Sequence, residues 1–174
     1  MRLFLPIALL FSFATCAYAG NLEISPISVE VVAPSAASSV KLKNSGSEPV
    51  KMQARLFSWS QGKLGEQLEK TGQVVVSPPF VQMKPNESAV IRIVRLSKSP
   101  VAGEETYRLL VDELPKKENT TGSIIQMVMR YSIPVFFTDG HHGGPSIDMG
   151  ITQHDGKVTI AISNRGTEHI KLSG

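Results

Sequence analysis

The sequence predicts an all-β protein, with a complete immunoglobulin-like β-sandwich first and the start of a second β-sandwich domain after it. Short runs of β-branched and aromatic residues recur at the spacing typical of sandwiches, and turn residues separate them. Helical periodicity is almost absent. About 155 residues follow the N-terminal segment, which is enough for one well-formed core and part of a second.

Residues 1–19 have the features of a secretory signal peptide. Arg2 supplies the positive charge, residues 3–14 are nearly all apolar, and Ala17-Tyr18-Ala19 has small residues at the cleavage positions. The apolar core is too short to span a membrane. The alternative is a lipoprotein signal that uses Cys16, but the residues before this cysteine form a poor lipobox. We therefore expect an exported, soluble mature protein with no membrane insertion.

Composition excludes several classes of protein. Cleavage removes Cys16, the only cysteine, so the mature chain cannot form an internal disulfide. Cleavage also removes Arg2 from the 18 Lys and Arg residues, which leaves 17 against 15 Asp and Glu, a net charge near +2. This weakly basic balance argues against nucleic acid as a partner.

The first domain, residues 20–137, is predicted to contain seven strands. The first three combine alternating apolar residues with a turn signal at the end, and they cover residues 24–32, 39–43 and 50–59. Residues 61–65 are predicted to be a loop. The next three strands cover residues 74–76, 89–96 and 107–114, and the pair Pro78-Pro79 keeps the first of these from a central ladder position.

The seventh predicted strand, residues 124–137, is the most informative segment of the chain. It is apolar on both faces at its start, where Ile125, Met127 and Met129 alternate. At the edge of a sheet such a strand exposes large apolar side chains beside unpaired backbone groups, which proteins normally avoid. We therefore expect it to bind a partner by strand addition. The alternative is that these three side chains only fill the core of their own domain.

The composition changes after Phe137. Residues 138–145 have the residue types of a linker, and residues 146–174 contain two more predicted strands, 146–152 and 157–163, joined at His154-Asp155-Gly156. Two or three strands cannot bury a core alone, so we expect this second β-domain to be incomplete.

Three segments resemble the periplasmic pilus-assembly chaperones of the PapD-like family. These are the Pro-Pro block with a later lone proline and an arginine (residues 77–93), the strand that ends in Glu113-Leu114-Pro115, and the apolar run that closes with Val135-Phe136-Phe137. The wording of residues 130–136 resembles the divergent, archaic branch. The resemblance implies a periplasmic chaperone that binds, folds and caps pilin or fimbrial subunits by donor-strand complementation and delivers them to an outer-membrane usher.

The resemblance also implies roles for individual residues. Ile125, Met127 and Met129 take the positions of the donor side chains. The basic residues that anchor the subunit's terminal carboxylate in this family align with Ser28 and Pro134, neither of which is basic.

The candidate anchors are therefore Arg130, four residues before Pro134, and Arg92, which matches the family's arginine in its strand. A surface location or an intradomain ion pair is the alternative for both. Glu104 matches a glutamate that begins an interdomain salt bridge, but Thr138 stands at its partner's position, so we expect Glu104 to be solvated or paired locally.

Three functions remain open: the assembly chaperone, a pilin-like structural subunit, and a generic periplasmic binding module with an immunoglobulin fold. No catalytic site, metal site or cofactor is predicted, because the mature chain lacks cysteine and a Gly-x-Ser-x-Gly elbow, and His141-His142 has no evident third ligand. The exposed apolar edge also predicts self-association of the free protein, because two copies could cap each other.

Overall fold

The computed structural model describes residues 22–62, 65–115, 126–140 and 144–171. Within these ranges the chain forms twelve strands, and no helix is long and apolar enough to cross a membrane. The strands are β1 (Leu22–Ser25), β2 (Val29–Val32), β3 (Ala37–Asn44), β4 (Val50–Gly62), β5 (Gly65–Lys70), β6 (Val74–Ser77), β7 (Phe80–Met83), β8 (Ser88–Arg95), β9 (Glu104–Glu113), β10 (Arg130–Thr138), β11 (Ile147–His154) and β12 (Lys157–Asn164).

The first ten strands form a sandwich of two sheets, which confirms the predicted immunoglobulin-like fold. One sheet has the order β1-β3-β8-β6, and the other has the order β2-β10-β9-β4-β5, with β7 paired to the start of β4. Alternate residues of the strands meet between the sheets, as period-two patterning requires. The largest fully buried side chains are Phe137, Leu42, Met52, Met83, Ile91, Ile93 and Leu109.

The predicted strand at residues 24–32 is two strands in different sheets. β1 pairs with β3, whereas β2 pairs with β10 in parallel, from Val29 opposite Val135 to Val32 opposite Thr138. Pro26 lies in the break between them and has no backbone N–H to donate to a ladder. The chain therefore crosses from one sheet to the other at this point.

The predicted loop at residues 61–65 is wrong. β4 continues to Gly62 and β5 begins at Gly65, so the two strands form a long hairpin. Every residue of β5 is exposed, and its charged residues give no apolar alternation from which a strand could be predicted. The structure also contains the short strand β7, which follows the two prolines and pairs with Val50–Gln53 of β4.

The hairpin of β11 and β12 turns at Asp155 and Gly156, both with positive φ, which agrees with the predicted turn. The chain after β12 repeats a turn found after β3. Asn44 Nδ2 donates to Glu48 O at 2.8 Å and Gly46 N donates to Asn44 Oδ1 at 3.0 Å. Asn164 makes the same two bonds, to Glu168 O at 2.6 Å and from Gly166 N at 2.9 Å.

Candidate functional site

Strand β10 is paired on both sides along only part of its length. β9 runs beside all of it, from Arg130 opposite Asp112 to Thr138 opposite Glu104. β2 covers the other side only from Val135 onward. Within the described part of the chain, the segment Arg130–Pro134 therefore has an open edge. We refer to this five-residue edge as the open edge of β10.

The predicted donor residues lie just before the open edge. Met127 is 83% exposed and Met129 is 50% exposed, and both precede the strand rather than lie in it. The prediction that the strand already includes residues 126–129 is wrong, because β9 ends at Glu113 and offers these residues only one backbone bond, from Glu113 N to Met129 O at 2.8 Å. Ile125 lies outside the described residues.

The methionines continue the alternation of β10. Its odd-numbered residues Ile133, Val135 and Phe137 are buried in the core, and Tyr131 packs against them. Met129 and Met127 have the same parity, but they extend past the end of the core and are exposed. The chain thus presents two large flexible side chains directly beside unpaired backbone groups, a combination that proteins usually avoid.

Arg130 lies on the outer face of β10 and makes an ion pair with Asp112 of β9. Arg55 of β4 reaches the same carboxylate, with Arg55 Nη2 at 2.6 Å from Asp112 Oδ2 and Arg130 Nε bonded to Oδ1. Burial raises the pKa of Asp112, but the hydrogen bonds from Arg130 and Arg55 outweigh it, and the pKa lies below its usual range. The intradomain ion pair foreseen as an alternative for Arg130 is therefore present.

The second anchor candidate does not meet the first. Arg92 lies in the middle of β8 between the buried residues Ile91 and Ile93, so it points away from the core on the other sheet. Arg130 and Arg92 consequently lie on opposite outer faces of the sandwich. One ligand group cannot contact both.

Arg108 is a residue of this region that sequence reasoning missed. It lies directly opposite Pro134 in the ladder, and Ser28 directly precedes β2, so all three are close to the point where the open edge ends. The Arg108 guanidinium lies 3.9 Å from the centroid of the Trp59 ring, and its Nε lies 2.6 Å from Glu66 Oε1. Its alternation with Tyr107 and Leu109 indicates an outward position, but no sequence signal gives its register.

Glu104 contacts the segment that follows β12. Its side chain is 6% exposed, and its Oε2 lies 2.7 Å from His169 Nδ1 and accepts a bond from His169 N at 3.3 Å. The imidazole stacks on Phe136 with 3.6 Å between ring centroids. The expectation that Glu104 is solvated or locally paired is therefore wrong, because its partner comes from 65 residues away.

The other histidines give no evident chemistry. His154 is paired with the neighbouring Asp155 at 3.3 Å, and both side chains are almost fully exposed. His141 and His142 lie outside the described residues. Among the residues that are described, no three His, Cys, Asp or Glu side chains come together as a metal site.

Comparison with known proteins gives one family and many structures. The sequence profile for the family described as pili and flagellar-assembly chaperone, PapD N-terminal domain, matches residues 21–138. No curated protein sequence matches the chain. In the chaperone–tip adhesion subunit pre-assembly complex CsuC–CsuE, from archaic chaperone-usher Csu pili of Acinetobacter baumannii, a chain matches with 25% identity and a TM-score of 0.65. The match covers 86% of the present chain and 74% of that one.

Two more distant structures have the same fold. A chain of the Salmonella enterica SafA pilin–SafB chaperone complex is 14% identical, with a TM-score of 0.60 and coverage of 84% of this chain and 69% of that one. The CupB2 chaperone of Pseudomonas aeruginosa is 18% identical, with a TM-score of 0.52 and coverage of 82% and 81%. At these identities the likeness concerns the fold alone.

Proposed function

Because this chain belongs to the family of pili and flagellar-assembly chaperones, PapD N-terminal domain, we propose that it binds pilus or fimbrial subunits and caps them by strand addition. The observation that carries the proposal is the open edge of β10, with exposed Met127 and Met129 directly before it. A subunit strand beside β10 would satisfy the free backbone groups, and its pockets would receive the alternating side chains.

The methionines fit this role on physical grounds. Their thioether side chains are flexible and can repack against grooves of different shape. Each one that becomes fully buried contributes about 1.5–3 kcal/mol to binding. Ile125 would be the third donor side chain, because it continues the same alternation toward the N-terminus. In the free protein this edge also favours self-association, in which one copy caps another.

Arg130 is the proposed anchor for a carboxylate of the subunit. It lies at the start of the open edge, its side chain is 62% exposed, and a guanidinium can bind a carboxylate through two N–H groups. Arg92 is the second candidate, on the other sheet. The relative effects of Arg130→Gln and Arg92→Gln on subunit affinity decide between them.

The remaining parts of the proposal concern cellular context. A signal peptide at residues 1–19 would export the protein to the periplasm, where it would hand its subunits to an outer-membrane usher. None of these steps requires catalysis or a cofactor by this chain. The family membership supports this setting, in which the chaperone acts between export of the subunit and assembly of the fibre.

The first experiment is co-expression with a pilin-like subunit from the same genome, followed by size-exclusion chromatography. Met127→Asp is compared with Val90→Asp, a matched control because Val90 is 51% exposed on the other sheet. We expect a one-to-one complex that Met127→Asp abolishes and Val90→Asp preserves, with equal melting temperatures for both variants. Normal binding by Met127→Asp would refute strand addition, and binding to no subunit would favour a generic binding module.

A further inference from the structure

The outer face of the sheet holds two arginines around one carboxylate, at the start of the open edge. β10, β9 and β4 are adjacent strands, and Arg130, Asp112 and Gln53 lie in one cross-strand row. Arg55 lies two residues along β4 from Gln53, on the same face. Its guanidinium reaches back to Asp112.

This cluster has more donors than acceptors. Two guanidinium groups surround one carboxylate, so the cluster carries one excess positive charge, and each guanidinium has five N–H donors. Among the described residues, neither arginine has another carboxylate partner. Arg55 Nε is shielded from solvent and has no hydrogen-bond partner in the described structure. The Arg130 side chain is 62% exposed and the Arg55 side chain 41% exposed, whereas that of Asp112 is 12% exposed.

We propose that Arg55, Asp112 and Arg130 form a carboxylate-binding site that fixes the register of a strand added to the open edge of β10. The proposal rests on the function proposed above and adds two residues to it. Arg130 and Arg55 would bind the incoming carboxylate together, and Asp112 would be a positioning residue. The carboxylate is either the end of the subunit chain or an Asp or Glu side chain on its added strand.

The geometry brings such a carboxylate within reach. On one face of paired strands, directly opposite residues have Cβ atoms about 4.5–5.5 Å apart. A residue of the added strand opposite Arg130 would therefore lie beside its guanidinium on the outer face. Asp112 already holds both guanidinium groups in place, so little side-chain freedom is lost when the second carboxylate binds.

The same geometry makes the site sensitive to register. A slip of one residue would turn the acidic group to the opposite face, and a slip of two residues would move it away from Arg130 by one step of the ladder. The backbone bonds of the open edge are nearly equivalent in each register. A charged contact at one position therefore distinguishes them.

The first test uses the free chain and needs no subunit. The arginine Nε–H signals are followed by NMR during titration with sodium acetate, with sodium chloride at equal ionic strength as the reference. We expect saturable shifts of the Arg55 and Arg130 signals, which both Arg55→Gln and Arg130→Gln abolish. Arg165→Gln is the matched control, because Arg165 is also paired with an aspartate, Asp148, at 3.0 Å. Shifts that do not saturate, or that chloride reproduces, overturn the site.

The second test measures subunit affinity. Arg55→Gln and Arg130→Gln should each weaken binding by about tenfold, and the double variant by no more than either alone, because they act as one unit. A loss with Arg130→Gln but not with Arg55→Gln overturns the shared site while leaving strand addition intact. If acetate saturates the site but no subunit binds, the site stands and the proposed chaperone function fails.

The source of the carboxylate is identified with subunit variants. A two-glycine extension moves the chain-terminal carboxylate, and an acid-to-amide change neutralises a side chain on the added strand. The variant that removes the dependence on Arg55 and Arg130 names the source. If the dependence survives both changes, the site does not bind a subunit carboxylate and the inference is wrong.

Discussion

Glu105→Gln should destabilise the first domain by removing a charge from an almost buried ion pair. The side chain of Arg95 is 7% exposed and that of Glu105 is 24% exposed. Arg95 Nε and Nη2 donate to the two Glu105 oxygens at 2.8 and 2.6 Å, and Tyr107 donates its hydroxyl to the same carboxylate at 3.1 Å. Glutamine keeps one carbonyl oxygen for these donors but leaves the Arg95 charge uncompensated.

The size of the effect follows from what Arg95 retains. Removing one partner of a buried ion pair costs about 3–5 kcal/mol. Arg95 Nη1 would still donate to the carbonyl oxygens of Ser97 and Ser99, at 2.9 and 2.8 Å, so we expect the lower end, about 3 kcal/mol. For a chain of this size that lowers Tm by about 6–12 °C.

The assay is urea unfolding followed by circular dichroism, with Glu66→Gln as the control. Glu66 pairs with Arg108 at 2.6 Å, but its side chain is 43% exposed, so this variant should cost less than about 1 kcal/mol. Equal losses for the two variants would refute the reasoning that burial decides the strength of the pair.

The pH dependence of Glu105→Gln supplies a second readout. The hydrogen bond from Arg95 is the main reason that the pKa of Glu105 lies below its usual range. Its stabilising contribution is therefore present above about pH 4.3, the ordinary glutamate pKa, and is lost as the pH falls through the lowered value. The difference in unfolding free energy between wild type and Glu105→Gln should shrink over that interval. A constant difference would contradict the assignment.

Three further predictions concern other parts of the structure. Burial and the nearby Glu105 raise the pKa of Tyr107 to about 12, so absorbance titration should show one tyrosine ionising about two units above the ordinary value, and stability should fall as the pH rises from about 10 to 12; Tyr107→Phe should remove both effects. Asn44→Ala should cost about 2 kcal/mol in urea unfolding, because Asn44 is fully buried and its amide bonds Glu48 O and Met83 O; a loss below about 0.5 kcal/mol would contradict this. His169→Ala should speed protease cleavage between β10 and β11 without changing the Tm of the first domain, whereas unchanged cleavage would mean that the contact with Glu104 does not hold the two parts together.

Sequence patterns predicted the strands whose two faces differ. β3, β4, β8 and β9 alternate buried and exposed residues, so their positions are readable within a few residues. β5 has no buried face and therefore no such signal. The division of residues 24–32 between two sheets depends on which distant strands are adjacent, and one proline only marks where the division falls.

The candidate site was predictable in its apolar part and not in its charged part. Exposure of Met127 and Met129 follows from an apolar run at an edge, which residue types alone suggest. The ion pairs of Asp112 depend on the register of β10 against β9 and β4, and one residue of slip would separate them. The bond between Glu104 and His169 joins segments 65 residues apart, and neither residue belongs to a local motif.

Strand β2 sets a length limit on whatever pairs with β10. It lies on the same side of β10 as the open edge and begins at Val29, opposite Val135. An added strand must therefore end before Ser28, much as a rule ends at its stop. From Arg130 to Pro134, at about 3.3 Å per residue, the distance is about 16 Å, so the sandwich measures its partner as well as binding it. Longer pairing can extend only the other way, past Met129 and Met127, where no neighbouring strand in the described structure limits it.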